Sequence, residues 1–235
     1  MLRSYIAFDL ETTGLNPTSN EIIEIGALKV RDGCVAERFI EFIKPTCSIS
    51  PEITKLTGIT NSMVQNARSW DSVITDFITF CEDDILIGHN IQFDYSFTKC
   101  FAVKCGLSFE KQGIDTLKIA KKVHSDLPSK SLGNLCDYYH IENKSAHRAY
   151  HDALATAKLY QTLAHYFEEK DPKLFKPVQL NYKIKKSQPA TPKQLALLAR
   201  LEKERKTDLK WDSKSLSRSD ASRIIDQLLK SEYLY

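Results

Sequence analysis

Three strand-like runs in succession, before any long helical pattern, constrain this chain most. Residues 4–10, SYIAFDL, are mostly apolar with β-branched and aromatic members, and a glycine-containing turn follows. EIIEIGALKVRDG (21–33) reads as a second strand turning at Asp32-Gly33, and VAERFIEFIKP (35–45) as a third. The last two form a hairpin at an antiparallel sheet edge. From there strands and helices alternate. A helix opens at Ser50-Pro51 and stops at Gly58, proline first and glycine after. Residues 69–83 carry a helical stripe of Val73, Ile74, Phe77, Ile78 and Cys81. DILIGHN (84–90) is a short buried strand, 94–106 a helix, GIDTLKIAKKV a strand end and a helix, KSLGNLCDYYHI another helix, and 149–168 a long one. Strands first and alternation afterwards predict an α/β fold on a mixed sheet flanked by helices.

Composition bounds the rest. A hydrophobic share of 42% and a charged share of 27% describe an ordinary soluble globular protein. No apolar run approaches the roughly 20 residues that span a bilayer, and the N-terminus reads as a strand with acids, not as a signal peptide. Cys34, Cys47, Cys81, Cys100, Cys105 and Cys136 are scattered without a C-x-x-C pair, as expected of reduced thiols in a cytoplasmic protein.

Charge is uneven. Residues 176–235 hold 14 Lys/Arg against 7 Asp/Glu, a net of +7, and residues 1–175 hold 19 against 23, a net of −4. An acidic body with a basic tail fits an acid-rich site joined to a segment that favours phosphate backbones, or simply a solubilising tail. After Glu169 the periodicity ends. Residues 170–190, with Pro172, Pro177, Pro189 and many lysines, read as a basic linker. Residues 191–235 then read as a small helical C-terminal module of two or three short helices. Thr191, Pro192 and Gln194 open one helix, and Ser217 with Asp220 opens another whose apolar face is Ile224, Ile225, Leu228 and Leu229. This module is a candidate for nucleic-acid or partner docking. QLALL (194–198) is loosely similar to a sliding-clamp pentapeptide, but that peptide binds extended and the capping box here calls for helix.

Three stretches carry candidate chemistry. In FDLETTG, Asp9 and Glu11 stand two apart, so on a strand they project to one face. Carboxylates so close favour Mg²⁺ or Mn²⁺, although such a pair can also be solvated or cap a helix. In GHNIQFDYSF, Asp94 follows a buried strand and opens a helix, where an acid also suits the positive helix end. In SAHRAYHDALAT, Asp152 sits on a helix starting near Arg148 or Ala149. His147 and His151 stand four apart, the helical spacing for zinc, but position 148 is arginine and no third ligand accompanies them. Four acids from separate segments at the ends of elements around one sheet suit two divalent ions and displacement at phosphorus, with a histidine as base.

The ordered set FDLETTG, GHNIQFDYSF and HRAYHDA resembles the three motifs of the DEDDh, or DnaQ-like, 3′–5′ exonucleases, over about residues 3–167. The resemblance implies a ribonuclease-H-like fold over residues 1–169 and two Mg²⁺ or Mn²⁺ ions on Asp9, Glu11, Asp94 and Asp152. It makes His147 the general base and His151 a bystander. It implies release of nucleoside 5′-monophosphates from the 3′ end of single-stranded DNA, in proofreading or repair beside a DNA polymerase or another replication protein, with no membrane. It also implies substrate contacts at Thr12, Gly14, Leu15, Ile59, Asn90 and Phe93, with Leu15 against the terminal base and Ile59 wedged between the last bases. An exoribonuclease, or a non-catalytic nucleic-acid-binding subunit on the same fold, is the alternative.

Overall fold

The computed structural model describes residues 1–143, 147–184, 188–205 and 216–230. The chain divides into two compact units, Met1–Tyr182 and Lys183–Tyr235.

The first unit is built on six strands: β1 (Tyr5–Thr12), β2 (Ile22–Arg31), β3 (Cys34–Phe42), β4 (Leu86–Gly88), β5 (Gln112–Asp115) and β6 (Val178–Gln179). They lie in the order β3-β2-β1-β4-β5-β6. β1 to β3 pair antiparallel, β1, β4 and β5 pair parallel, and β6 closes the far edge antiparallel. The mixed sheet of the ribonuclease-H-like class is therefore present. The β2–β3 turn places Asp32 at φ 53° and Gly33 at φ 84°, the two left-handed residues of a tight hairpin whose twist matches its strands. β1 is covered on both faces, which explains its nearly unbroken apolar sequence.

The helices follow the spacing of their apolar residues. α1 (Pro51–Thr57) starts at Ser50, whose side chain accepts from Ile53 N–H, and ends at Gly58 with φ 71°. α2 (Asn61–Val64) is one turn that the sequence did not announce. α3 (Trp70–Cys81) buries Val73, Ile74, Phe77 and Cys81, the predicted stripe apart from half-buried Ile78. α4 (Ile91–Lys104), α5 (Thr116–Val123), α6 (Leu132–Tyr139) and α7 (Ala149–Phe167) complete the unit. α7 buries alanines 149, 153, 155, 157 and 164, small residues that let it lie close on the sheet. Tyr160 and Leu163 of α7 pack in one core with Tyr5, Leu28, Ile87 and Ile114.

The expected linker over 170–190 begins later than the sequence implied. Pro172–Phe175 form a 3₁₀ turn that buries Phe175 beside Tyr160, and Val178–Gln179 pair with Gly113 and Gln112. Leu180 is buried and its N–H donates to the Lys111 carbonyl at 2.9 Å. A two-residue strand is too short to show a period, and its apolar anchors stand singly among lysines, so the text reads as a linker while the chain finishes the sheet.

The second unit contains α8 (Pro192–Arg205) and α9 (Arg218–Lys230). The Thr191 hydroxyl accepts from Gln194 N–H at 3.2 Å and the Gln194 side chain accepts from Thr191 N–H at 3.0 Å, the reciprocal cap read from the sequence. Ser217 caps α9 through Asp220 N–H at 3.0 Å. Gln194 Nε2 donates to the Arg218 carbonyl at 3.0 Å and Ser222 Oγ at 2.9 Å, and Pro189 bridges Ser217, so both helices start at the same end. QLALL is helical, with Leu198 buried and Leu195 and Leu197 packed on the same small core, so it is not free to bind extended. A third short helix would fall in 206–215 or 231–235, outside the described residues.

Candidate active site

A cleft of about 380 Å³ opens where β1, α4, α6 and α7 converge, and Asp9, Glu11, Asp94, His147 and Asp152 all line it. They arrive on three local devices. Asp9 and Glu11 leave the same face of β1 near its end. β1 pairs with β4 only at Ile6 and Ala7, which leaves the Leu10 N–H to donate to Asp94 Oδ1 at 3.1 Å. That bond draws the first turn of α4 against β1.

α4 itself begins at Asn90, held left-handed at φ 70°, a conformation asparagine tolerates. The Asn90 N–H donates to Asp115 Oδ1 at 3.0 Å, and the same oxygen accepts from Leu117 N–H at the start of α5. Asp115 thus fixes two helix starts at once. His89, just before the turn, bonds Thr116 Oγ1 and the Lys130 carbonyl, each at 2.9 Å, and ties down the segment leading to Ser131 and α6. Burial holds its imidazole below the usual pKa.

Asp152, in the first turn of α7, accepts from His147 N–H through Oδ2 at 2.8 Å and from Asn143 Nδ2 through Oδ1 at 2.7 Å. His147 precedes α7, is exposed, and takes a left-handed φ of 63°. A histidine ring nitrogen and carboxylate oxygens of Glu11 and Asp152 lie within 4.8 Å of one another. The five-residue separation of His147 and Asp152 works because only Asp152 belongs to the helix. His151 is half-buried against Tyr150, and its Nδ1 has no hydrogen-bond partner.

The electrostatics of the cleft are one-sided. Burial, reinforced by Asp94, Glu11, Asp152 and Glu24, raises Asp9 well above the ordinary carboxyl range. Burial, then Asp152 and Glu24, pushes Glu11 up to about 8, with Arg148 opposing. Asp94 is raised by burial and by Glu11 and Asp115, against the donors that its carboxylate accepts. No lysine or arginine is among the described residues lining the cleft. Clustered carboxylates without a cation of their own form an all-oxygen donor set with one imidazole, which fits hard divalent cations.

Three residues outside the sequence-derived set hold the site in shape. Glu24 on β2 stands directly opposite Glu11 across the strand pair, a repulsive position for two acids. It is 1% exposed and takes three contacts of 2.8–3.2 Å from the Arg148 guanidinium, plus the Ala149 N–H at 3.1 Å. That fork pins the start of α7, with His147 just before it. Gly26, opposite Asp9, is the third: a Cβ there would lie 1.9 Å from Tyr150 N, so the helix rests directly on the strand backbone. An acid inside the apolar run IIEIGALKV is the signal that could have flagged Glu24, because a charge there needs a partner.

The expected substrate contacts divide. Asn90 and Phe93 line the cleft, and Leu15 is 85% exposed after the Gly14 turn. The Thr12 hydroxyl is engaged with the Gly14 carbonyl at 2.7 Å, and Gly14 abuts the Asn20 side chain. Ile59 is corrected: it is fully buried in a cluster with Ile23, Ile49 and Val64, so its side chain is not available to wedge between bases. Tyr95, next to Asp94, is a core residue whose hydroxyl donates to the Phe109 carbonyl at 3.1 Å.

The chain belongs to the RNase_T exonuclease family, whose profile matches residues 6–160 and takes in most of the mixed sheet and the acid-lined cleft. It is 40% identical over 156 residues to the PolC-type DNA polymerase III of Caldanaerobacter subterraneus subsp. tengcongensis, and 40% identical over 159 residues to that of Bacillus subtilis. Each match takes in 66% of this chain and 11% of the polymerase, so the chain spans about a tenth of those relatives. The fold is shared with Exonuclease X in complex with 5′ overhanging duplex DNA (TM-score 0.56, 23% identity, 69% of this chain and 92% of that one). It is also shared with E. coli Exonuclease I in complex with a dA16 oligonucleotide (TM-score 0.63, 20% identity, 74% of this chain and 42% of that one).

Proposed function

We propose that this protein is a divalent-metal-dependent 3′–5′ exonuclease that removes nucleoside 5′-monophosphates from single-stranded DNA. The observation that carries the reading is the gathering of Glu11, His147 and Asp152 donor atoms within 4.8 Å, in one cleft with Asp9 and Asp94. Similarity to PolC-type polymerases supports DNA as the substrate and replication or repair as the setting.

Asp9, Glu11, Asp94 and Asp152 would hold two Mg²⁺ or Mn²⁺ ions. When bound, these supply the positive charge that a phosphodiester displacement needs and make water easier to deprotonate. His147 takes a proton from the attacking water on a ring nitrogen. Its exposed position before α7 lets the ring pass that proton to solvent after each turnover. The Asn143 amide and the His147 N–H orient the Asp152 carboxylate by holding one oxygen each. The Glu24–Arg148 fork fixes the helix start that carries both His147 and Asp152. Asn90 and Phe93 form the wall beside the terminal nucleotide, and Leu15 packs against its base.

The test is a 5′-labelled single strand incubated with the protein and Mg²⁺ or Mn²⁺. A ladder shortening from the 3′ end, with nucleoside 5′-monophosphate as product, is expected. A strand left intact under both metals would overturn the reading. An RNA strand of the same sequence and a mismatched duplex complete the comparison.

A further inference from the structure

Residues 1–182 carry 20 Lys/Arg against 23 Asp/Glu, a net of −3, and residues 183–235 carry 13 against 7, a net of +6. The cleft offers a polyanion no lysine or arginine side chain among its described residues, and the unit around it repels one at long range. Ions held in the cleft act on the terminal phosphodiester, and the phosphates farther along a long strand need a basic surface outside it.

The second unit is suited to supply it. Among its described residues, Leu198, Leu201, Ala221, Ile225 and Leu228 are buried together in a core of its own. Leu229, at 40%, is the one large exposed hydrophobic among its described residues. Among the described residues of the unit, no cluster of exposed apolar side chains offers a protein helix a groove. Its outer surface displays cations instead. Lys193, Arg200 and Lys203 are exposed and recur along α8 at spacings of seven and three, which a 3.6-residue period gathers on one stripe facing away from Leu198 and Leu201. The stripe runs about 15 Å, enough for several phosphates. Arg200 meets Glu204 at 3.4 Å, an exposed i,i+4 pair that a phosphate can replace. Arg218 is exposed at the start of α9, the end of the pair where Lys193 lies.

We infer that the α8–α9 helix pair is a docking unit for the phosphate backbone of a single-stranded nucleic acid, holding the strand by charge while the cleft works on its end. The inference rests on reading the cleft as an exonuclease site. It assigns the affinity for long substrates to Lys193, Arg200 and Lys203.

The experiment compares the full chain with its K193E/R200E/K203E variant on two substrates, a long single-stranded oligonucleotide and thymidine 5′-(4-nitrophenyl phosphate), which is too small to reach beyond the cleft. KM for the long strand should rise about tenfold or more, with kcat and hydrolysis of the small ester within about twofold. The dependence of log KM on log salt should flatten by about 2, three lost phosphate contacts on a single strand. The corresponding glutamine triple removes the charge without adding repulsion and should show a smaller rise in the same direction. It is the deciding variant if the glutamate triple does not fold. Unchanged KM and salt slope in the variant that folds would overturn the docking unit. Anisotropy of a labelled strand in EDTA separates the two readings: a wild type that binds there but cuts nothing once Mg²⁺ or Mn²⁺ is supplied refutes the exonuclease reading alone, and equal binding by wild type and triple refutes the docking unit alone.

Discussion

In the Met1–Tyr182 unit, Asp9, Glu11 and Asp94 crowd together with no lysine or arginine lining their cleft among the described residues. In the helix pair, the starts of both helices are closed by their own side chains, and the cations face outward. One region leaves negative charge uncompensated at its centre. The other closes its helix starts with neighbouring side chains and carries Lys193, Arg200 and Lys203 on its surface. The difference separates a site that must give up stability to work from a surface that can gain affinity at almost no cost to folding. It also says where substitution should act: on turnover and stability together in the first unit, and on substrate affinity alone in the second.

The largest expected effect breaks the cleft. Asp94→Asn should lower turnover about a thousandfold or more, through loss of a metal ligand. The same variant should melt at a higher temperature than wild type without divalent metal, because a buried like charge is gone while its acceptor oxygen for Leu10 N–H remains. A variant that cuts normally would remove Asp94 from the ligand set. Next, His147→Ala should lower kcat by roughly a hundredfold or more and leave metal affinity by calorimetry largely intact, and His151→Ala should be nearly silent. Equal losses in the two would mean that the ring beside Glu11 is not the base.

Effects on stability sharpen the contrast further. Gly26→Ala should destabilise by about 3 kcal/mol or more in urea titration, since its Cβ lands on the Tyr150 backbone. Arg148→Ala strands Glu24 as a buried charge and should cost about 2–4 kcal/mol, less than a fully enclosed pair because Arg148 is a third exposed. A smaller and diagnostic effect is the pH dependence. Glu11, Asp9 and Asp94 bind protons more tightly folded than unfolded, so the stability they confer is complete below the ordinary carboxyl range and is lost as pH rises. The metal-free Tm should fall between about pH 4.5 and 8, the window set by Glu11, and added Mg²⁺ should restore it. A flat or rising Tm across that window would contradict the crowding. The smallest effect belongs to the loop tip: Leu15→Ala should raise KM about two- to fivefold without loss of stability, and Ile59→Ala should cost about 2–4 kcal/mol with KM unchanged.

Much of this was legible because its causes are local. The β2–β3 hairpin announces itself through Asp32-Gly33, α1 through Ser50-Pro51 and Gly58, and α8 through Thr191 and Gln194, each a signal within a few residues. That Asp9, Glu11, Asp94, His147 and Asp152 lie together in one cleft follows from motif spacing and strand or helix ends, which are one-dimensional facts. What stayed hidden depends on distance in the chain. Glu24 and Arg148 are 124 residues apart, and nothing near Gly26 reveals that a helix starting at Ala149 will rest on it. The direction of Ile59 is hidden in its loop sequence because it is set by the core beneath it, here Ile23, Ile49 and Val64. β6 was missed because two residues carry no period and their pairing energy comes entirely from an edge supplied by β5.

Gly26 couples the register of a strand pair to the seating of a helix. Asp9 faces Gly26 across the β1–β2 pair, and α7 settles only where the strand has no side chain. A slip of one residue would bring Ile25 or Ala27 beneath the helix start and reverse every side chain on the strand. The helix would then be held off, and Asp152 with it. Assembly of the cleft is therefore conditional on correct pairing of β1 with β2, because the seat of α7, and with it the position of Asp152, is set by the register that puts Gly26 opposite Asp9.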